Sequence, residues 1–134
     1  MTRFMFLALL LMASFTNYAA VDTEAKEPEV EAVVESYFEY LRAGDTAGIL
    51  SLITDPLLSE RRELLEKNSS YSEFLRDMYK NSYIQITNIK NIKGNKKAAD
   101  VGIYLNEEEI PIKTRLILQI INGSWKISNE VNDA

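Results

Sequence analysis

The sequence predicts one α+β domain in which N-terminal helices pack on one face of an antiparallel sheet. Two observations support this fold class. Apolar residues recur at intervals of three and four up to about residue 79, and after Asn81 they alternate at the spacing of a strand. Glycine and asparagine then recur where hairpin turns would need them. Helices followed by hairpin-connected strands are typical of an α+β domain.

The first 20 residues have the three-part layout of a secretory signal peptide. Arg3 is followed by an apolar run over residues 4–13 and by small residues at 19 and 20. The run is about half as long as the roughly 20 residues of a membrane span. We therefore expect residues 1–20 to be removed during export to the periplasm or extracellular space, with an uncleaved anchor as the alternative. Residues 21–28 are polar and acidic and predict a flexible linker, followed by a single domain over 29–134.

The composition excludes several classes of function. The chain has 134 residues, a net charge of -5, no cysteine and no histidine. An acidic chain lacks the basic footprint of a general nucleic-acid binder. Without cysteine and histidine it has no thiol nucleophile, no thiolate metal site and no imidazole base. The sequence therefore predicts no metal and no cofactor, and catalysis would have to use carboxylate, tyrosine or lysine side chains.

The first helix is expected from Glu29, with one apolar face. It ends at Gly44, the residue most tolerant of the left-handed cap conformation, and Asp45 directly after it suits the N-cap of a second helix. The apolar face of the first helix consists of Val30, Val33, Val34, Tyr37, Phe38 and Leu41. The break at Gly44 is therefore a stop signal next to a start signal, which folds the second helix back beside the first.

Two further helices are expected before the strands begin. Asp55 followed by Pro56 predicts the start of a third helix that runs to about residue 67. Ser70 and Glu73 have the spacing of a capping box, which predicts a fourth helix.

Four strands are expected, over residues 83–92, 99–105, 110–121 and 125–131. The spacing of isoleucines in the first strand predicts a bulge near Thr87 and Asn88. On the third strand, alternation separates two faces. We expect the helices to cover the face formed by Ile112, Thr114, Leu116, Leu118 and Ile120.

This order of elements, with YFEYLRAGD in the first two helices and INGSWKI before the last strand, resembles the nuclear transport factor 2-like superfamily. That superfamily includes ketosteroid isomerase and scytalone dehydratase. Residues 29–131 carry the resemblance. It implies a cone, with a strongly curved sheet wrapped around the helices, often with a pocket between them and often with a homodimer through the outer sheet face.

Neither enzyme's chemistry transfers fully to these residues. Tyr37 is placed before Gly44 as the oxyanion-binding tyrosine of the isomerase is, but Arg61 stands where the resemblance implies the general-base aspartate. The dehydratase needs catalytic histidines, and this chain has none. The resemblance therefore implies the fold and argues against either activity.

Three residues are candidates to line a cavity between the first helix and the sheet. Tyr37 lies on the buried stripe of its helix, and alternation assigns Thr114 and Asn129 to the helix-covered face. The commoner explanation of such residues is a core position whose polar atom is satisfied locally. A cavity there would favour a small apolar ligand, and a filled interior would favour a protein-interaction module.

The opposite sheet face is half apolar, which predicts a homodimer interface. The residues expected there are Tyr104, Arg115, Ile117 and Ile121. Lysines crowd one hairpin tip and glutamates 107–109 the next, so that the sheet carries a charge gradient that could orient a charged partner. The leading hypothesis is an exported, non-catalytic domain that binds a small apolar molecule or a protein. The alternative is an isomerase or dehydratase that uses Tyr37 and a carboxylate not identifiable from the sequence.

Overall fold

The computed structural model describes residues 28–132. The predicted signal peptide, residues 21–27 of the predicted linker and the last two residues lie outside this range. The elements are α1 (Pro28–Ala43), α2 (Thr46–Ser51), α3 (Leu57–Lys67), α4 (Tyr71–Tyr79), β1 (Tyr83–Lys93), β2 (Lys96–Tyr104), β3 (Ile112–Ile121) and β4 (Ser124–Asn132). The α+β class is confirmed. Pro28 was predicted in the linker but begins α1, where its missing N–H leaves no hydrogen bond unmade.

The four strands form one antiparallel sheet in chain order, β1-β2-β3-β4. The predicted bulge in β1 is confirmed by a register shift between Ile86 and Asn88. Bulges bend and twist the strands that contain them, which helps the sheet curve around the helices. The free edge of β4 is covered at one point by the α2–α3 connection, since Ile127 exchanges backbone hydrogen bonds with Leu52 and Thr54.

The core lies between α1 and the inner face of the sheet. The inner face of β3 is as predicted, because Thr114, Leu116 and Leu118 are all buried, while Ile112 and Ile120 at its ends are partly exposed. The main apolar contributions are Val30, Val34, Phe38 and Leu41 from α1 and Ile89, Ala99, Val101, Leu116, Leu118 and Ile127 from the sheet. No helix among residues 28–132 is long and apolar enough to cross a lipid bilayer.

One predicted helix cap is confirmed and another is wrong. Gly44 has a φ of 69°, and the Asp45 carboxylate accepts a 3.0 Å hydrogen bond from the backbone N–H of Gly48, so the stop and start signals between α1 and α2 are confirmed. The predicted capping box is wrong, because the Ser70 side chain makes no cap hydrogen bond and lies against Asn68 instead.

Candidate functional site

The hydroxyl of Tyr37 lies inside the fold. Tyr37 is on the buried face of α1 and has 0% of its surface exposed. Its hydroxyl donates a 2.7 Å hydrogen bond to Oε2 of Glu130 on β4. A carboxylate, which an enzyme with a pocket tyrosine would require, is therefore within hydrogen-bond distance of the phenol.

Arg61 on α3 binds both of these groups. Its Nη2 donates to the Tyr37 oxygen at 2.7 Å and to Oε1 of Glu130 at 2.9 Å, and its Nη1 donates to the hydroxyl of Tyr71 at the start of α4. The side chains of Arg61 and Glu130 are 11% and 26% exposed. One guanidinium thus connects α1, α3, α4 and β4. We call Tyr37, Arg61, Tyr71 and Glu130 the buried polar cluster.

Burial and the positive charge of Arg61 both shift the pKa values of groups in the cluster. Burial raises the pKa of the Tyr37 phenol well above its usual value, and the Glu130 carboxylate adds to this while Arg61 opposes it. Burial disfavours the charge on Arg61, but the oxygens of Tyr37, Glu130 and Tyr71 outweigh burial and raise the pKa of Arg61. The pKa of Tyr79 is raised as well, first by burial and then by Glu130. At neutral pH Tyr37 is therefore neutral and Arg61 is charged.

This arrangement is unsuited to acid–base catalysis. Both carboxylate oxygens of Glu130 accept hydrogen bonds within the cluster, one from Tyr37 and one from Arg61. The phenol proton that a substrate oxygen would have to accept is already donated to Glu130, and Arg61 donates to the oxygen of the same hydroxyl. The cluster therefore has the features of a structural ion pair with a satisfied tyrosine.

Thr114 is on the helix-covered face, as predicted, and its hydroxyl is bonded to Asn132 rather than to Tyr37. It is buried, and its hydroxyl donates a 2.9 Å hydrogen bond to Oδ1 of Asn132 on β4. Its role in binding a ligand stays a prediction.

The predicted position of Asn129 is wrong. It pairs with Ile117, and so lies on the outer face of the sheet. The reason is a register shift in β4, where Ile127 pairs with Leu118 and Ser128 is left between the two pairs. An extra residue in a strand moves every later side chain to the other face. The same shift brings Glu130 to the inner face, opposite Leu116.

Two of the three cluster members that were not predicted, Glu130 and Arg61, had a signal in the sequence. Glu130 follows Ile127 by three residues, the same spacing that revealed the bulge in β1. Arg61 lies four residues from both Leu57 and Leu65, on the apolar stripe of α3. An arginine on an apolar stripe needs a buried acceptor, and the only strand carboxylates among residues 28–132 are Asp100 and Glu130.

The residues predicted for a dimer interface all lie on the outer face of the sheet. Tyr104 stacks on Tyr83 across β1 and β2, with ring centroids 4.6 Å apart and an interplanar angle of 4°. Arg115 holds Asp100 through hydrogen bonds of 2.7 and 3.2 Å. The Arg115 guanidinium lowers the pKa of the Asp100 carboxyl. Their part in an interface stays a prediction.

A cavity of about 520 Å³ opens on this outer face and crosses all four strands. We call it the outer groove. Pro111, from the β2–β3 connection, lies over Gly102 so closely that a Cβ there would be 3.3 Å from the Pro111 Cβ. Three of the predicted site residues, Tyr104, Thr114 and Arg115, line the groove together with Gln85, Thr87, Asp100, Val101, Gly102, Pro111, Lys113, Val131 and Asn132.

A second cavity, of about 280 Å³, lies where α1 meets the start of β1 and is lined by Glu35, Glu39, Arg42, Ser82, Tyr83 and Ile84. Neither cavity is lined by Tyr37. Within residues 28–132, no group of three acidic side chains is arranged to hold a metal ion.

The fold is shared with solved structures of very different sequence. No family model and no curated protein matches the chain. An NTF2-like protein of unknown function from Shewanella baltica OS155 has a TM-score of 0.52 at 12% identity, covering 78% of this chain and 90% of that one. Another from Silicibacter pomeroyi DSS-3 has a TM-score of 0.54 at 13% identity, covering 79% and 92%. A de novo designed protein with a curved β-sheet has a TM-score of 0.50 at 9% identity, covering 79% and 100%.

At these identities the likeness concerns the backbone alone, and the designed neighbour illustrates that the curved sheet needs no particular chemistry. The helices packed inside a curved antiparallel sheet agree with both natural neighbours. The chain therefore shares the α+β cone fold of these NTF2-like structures.

Proposed function

We propose that this chain is an exported, non-catalytic binding domain that recognises a protein partner on the outer face of its sheet. The observation that carries the proposal is the contact of Arg61 with both Tyr37 and Glu130. It fills the interior position where a small apolar ligand would reach the Tyr37 hydroxyl. Export is supported by the signal-peptide layout of the first 20 residues.

The outer groove supports the choice of surface. Its volume of about 520 Å³ is within the roughly 300–1,000 Å³ typical of binding pockets. Val131 in its lining and Tyr83 beside it are 51% and 56% exposed. Exposed apolar side chains next to a groove are a common feature of interaction sites.

One observation favours the enzymatic alternative. Glu130 lies 2.7 Å from the Tyr37 hydroxyl, and so supplies the carboxylate which that hypothesis lacked. The alternative would require Arg61 to leave the cluster when substrate binds. That movement would remove the hydrogen bonds of a guanidinium that is only 11% exposed, at a substantial cost in free energy.

Fragment binding followed by two-dimensional NMR distinguishes the two functions. A mixed set of apolar and amphipathic fragments is titrated into the uniformly labelled protein. We expect shifts at the amides of Gly102, Lys113 and Arg115, and none at Tyr37 or Arg61. Shifts concentrated at Tyr37 and Arg61 would favour the enzymatic alternative and overturn the proposal.

A further inference from the structure

The chain is acidic, but its sheet is basic. The four helices contain nine acidic and five basic residues. The four strands contain two acidic residues and seven basic ones, which are Lys90, Lys93, Lys96, Lys97, Lys113, Arg115 and Lys126. The net charge of -5 therefore conceals a division between a negative helical side and a positive sheet.

Both strand carboxylates are neutralised within the fold. Glu130 is on the inner face and is paired with Arg61, while Asp100 is on the outer face and is paired with Arg115. The remaining charge of the outer face therefore comes from lysines. Lys113 lines the outer groove. Lys90 lies on the same face beside it, two residues along β1 from Asn88, which pairs with Asp100.

The outer groove also has apolar side chains close to these lysines. Tyr104 and Pro111 form one end of it, and the Asp100–Arg115 pair lies toward the other, with Lys113 between them. The groove crosses the whole sheet and opens to solvent along its length. This shape suits an extended chain segment that carries carboxylates and at least one aromatic or aliphatic side chain.

A second copy of this chain fits the face poorly. In a two-fold interface each residue meets a symmetry-related region of the same surface. Lysines close to the two-fold axis would then face each other, and such like-charge contacts cost free energy. An acidic segment would instead place carboxylates near the lysines of the outer face, and these opposite charges attract each other.

We infer that the outer groove binds an acidic polypeptide segment of a partner protein, with Lys113 and Lys90 as the cationic contacts and Tyr104 with Pro111 as the apolar contact. The inference rests on the proposed function and specifies the chemistry of the partner. It also explains why an acidic chain places lysines on the one face whose groove is open.

The probe is a short fluorescein-labelled peptide of alternating glutamate and serine with a central phenylalanine, followed by fluorescence anisotropy. Its twin has glutamine for every glutamate. We expect the acidic peptide to bind at least about tenfold more tightly than the twin, and the difference to shrink between about 50 and 200 mM salt. Lys113→Glu should weaken binding of the acidic peptide about tenfold or more, and Lys113→Gln by less.

Lys80→Glu is the matched control, because it makes the same change in charge at an exposed position after α4, on the helical side. We expect it to change the affinity less than about twofold, because Lys80 does not line the outer groove and salt screens exposed charges. Circular dichroism checks that all variants are folded. Equal weakening by Lys80→Glu and Lys113→Glu would reduce the effect to net charge and overturn the inference.

Two further outcomes would also overturn it. The first is binding of single-stranded oligothymidylate as tightly as the acidic peptide, which would identify a phosphate polymer as the ligand. The second is binding of neither probe by a protein whose outer-face amides do respond to fragments. In that case the proposed binding function stands and only the acidic partner is lost, whereas fragment shifts at Tyr37 and Arg61 would remove the binding function itself.

Discussion

At the scale of single residues, Arg61 decides what the interior of the cone can do. Its Nη2 donates hydrogen bonds to both Tyr37 and Glu130. Its Nε is buried and has no hydrogen-bond partner among residues 28–132. Such a buried pair costs desolvation, and its members depend on each other. The cluster is therefore better described as a structural substitute for apolar packing than as a set of catalytic groups.

Replacing Arg61 alone should cost far more than replacing its buried polar partners together with it. Arg61→Met leaves Glu130 partly buried without its cation, and we expect a loss of about 2–3 kcal/mol in the free energy of unfolding, somewhat less than for a fully buried pair. Arg61→Met combined with Glu130→Leu and Tyr37→Phe should recover most of that loss, because no partner is left unsatisfied at the buried Tyr37 position. Urea denaturation measures both. The exposed neighbour Arg62→Met is the control and should change stability by less than about 0.5 kcal/mol. A triple variant no more stable than Arg61→Met would contradict this account.

The stability of the fold should fall at alkaline pH because of Tyr37. Its pKa is raised in the folded protein, so the native state keeps a proton that an unfolded tyrosine loses above about pH 10. The contribution of Tyr37 is thus complete below about pH 10 and is lost as the pH rises further. Urea denaturation from about pH 9 to pH 11 should show a decline in the wild type and a smaller decline in Tyr37→Phe. Some decline should remain in Tyr37→Phe, because the pKa of Tyr79 is also raised in the folded protein. Equal slopes in both proteins would contradict this assignment.

At the scale of elements, the α1–α2 connection is fixed by more than its caps. Gly44 has a positive φ of 69°, and a Cβ there would lie 2.9 Å from the backbone oxygen of Ser72 on α4. The Ser72 hydroxyl also donates a 2.7 Å hydrogen bond to the Gly44 carbonyl. The turn that looked purely local in the sequence is therefore also the docking point of α4.

A pair of glycine variants separates the backbone strain of a positive φ from the steric contact with α4. Gly44→Ala and Gly94→Ala both introduce a Cβ at positive φ, but nothing lies within 4 Å of a Cβ at Gly94. We expect Gly94→Ala to cost about 1 kcal/mol from backbone strain alone. Gly44→Ala should cost at least about 1 kcal/mol more, because α4 has to shift. Thermal or urea denaturation measures the loss of stability in each variant. Equal losses would contradict the prediction, because they would mean that α4 shifts at no cost in free energy.

At the scale of the whole molecule, the division of charge is the main feature. Helices with excess carboxylates cover one side of the sheet. Most of the strand lysines are at outer-face positions, namely Lys90, Lys93, Lys96, Lys113 and Lys126, whereas Lys97 is on the inner face beside Trp125. Electrostatic asymmetry of this kind orients a protein as it approaches a charged partner and raises the rate of association. The binding face and the acidic remainder of the molecule thus favour one orientation of an acidic partner.

Export is a prediction about the whole chain. Expressed with its first 20 residues in a bacterial host, the protein should appear in the periplasmic or culture fraction, and its mass should match a chain beginning at Ala20 or Val21. A Leu9→Arg variant, which interrupts the apolar run, is the control and should remain in the cytoplasm. A full-length mass in the exported fraction would instead favour the uncleaved anchor.

Much of the fold was predictable because its signals are local. The Gly44–Asp45 break and the bulge near Thr87 depend on a few neighbouring residues, and both were found correctly. The capping box at Ser70 was wrong because Asn68 competes for the same hydroxyl. Asn129 was misplaced because one unrecognised extra residue, Ser128, inverts the faces of the strand beyond it.

The sequence by itself determined the order of helices and strands, the buried stripe of α1, the inner face of β3 and the absence of cysteine and histidine chemistry. Only the tertiary structure decided that the tyrosine of the opening helix is held by Arg61 and Glu130, residues 24 and 93 positions away. It also decided that the groove lies outside the cone. Hydrophobic periodicity records which side of an element is buried, but the choice of polar partner depends on register and on the packing of distant elements, which no local pattern contains.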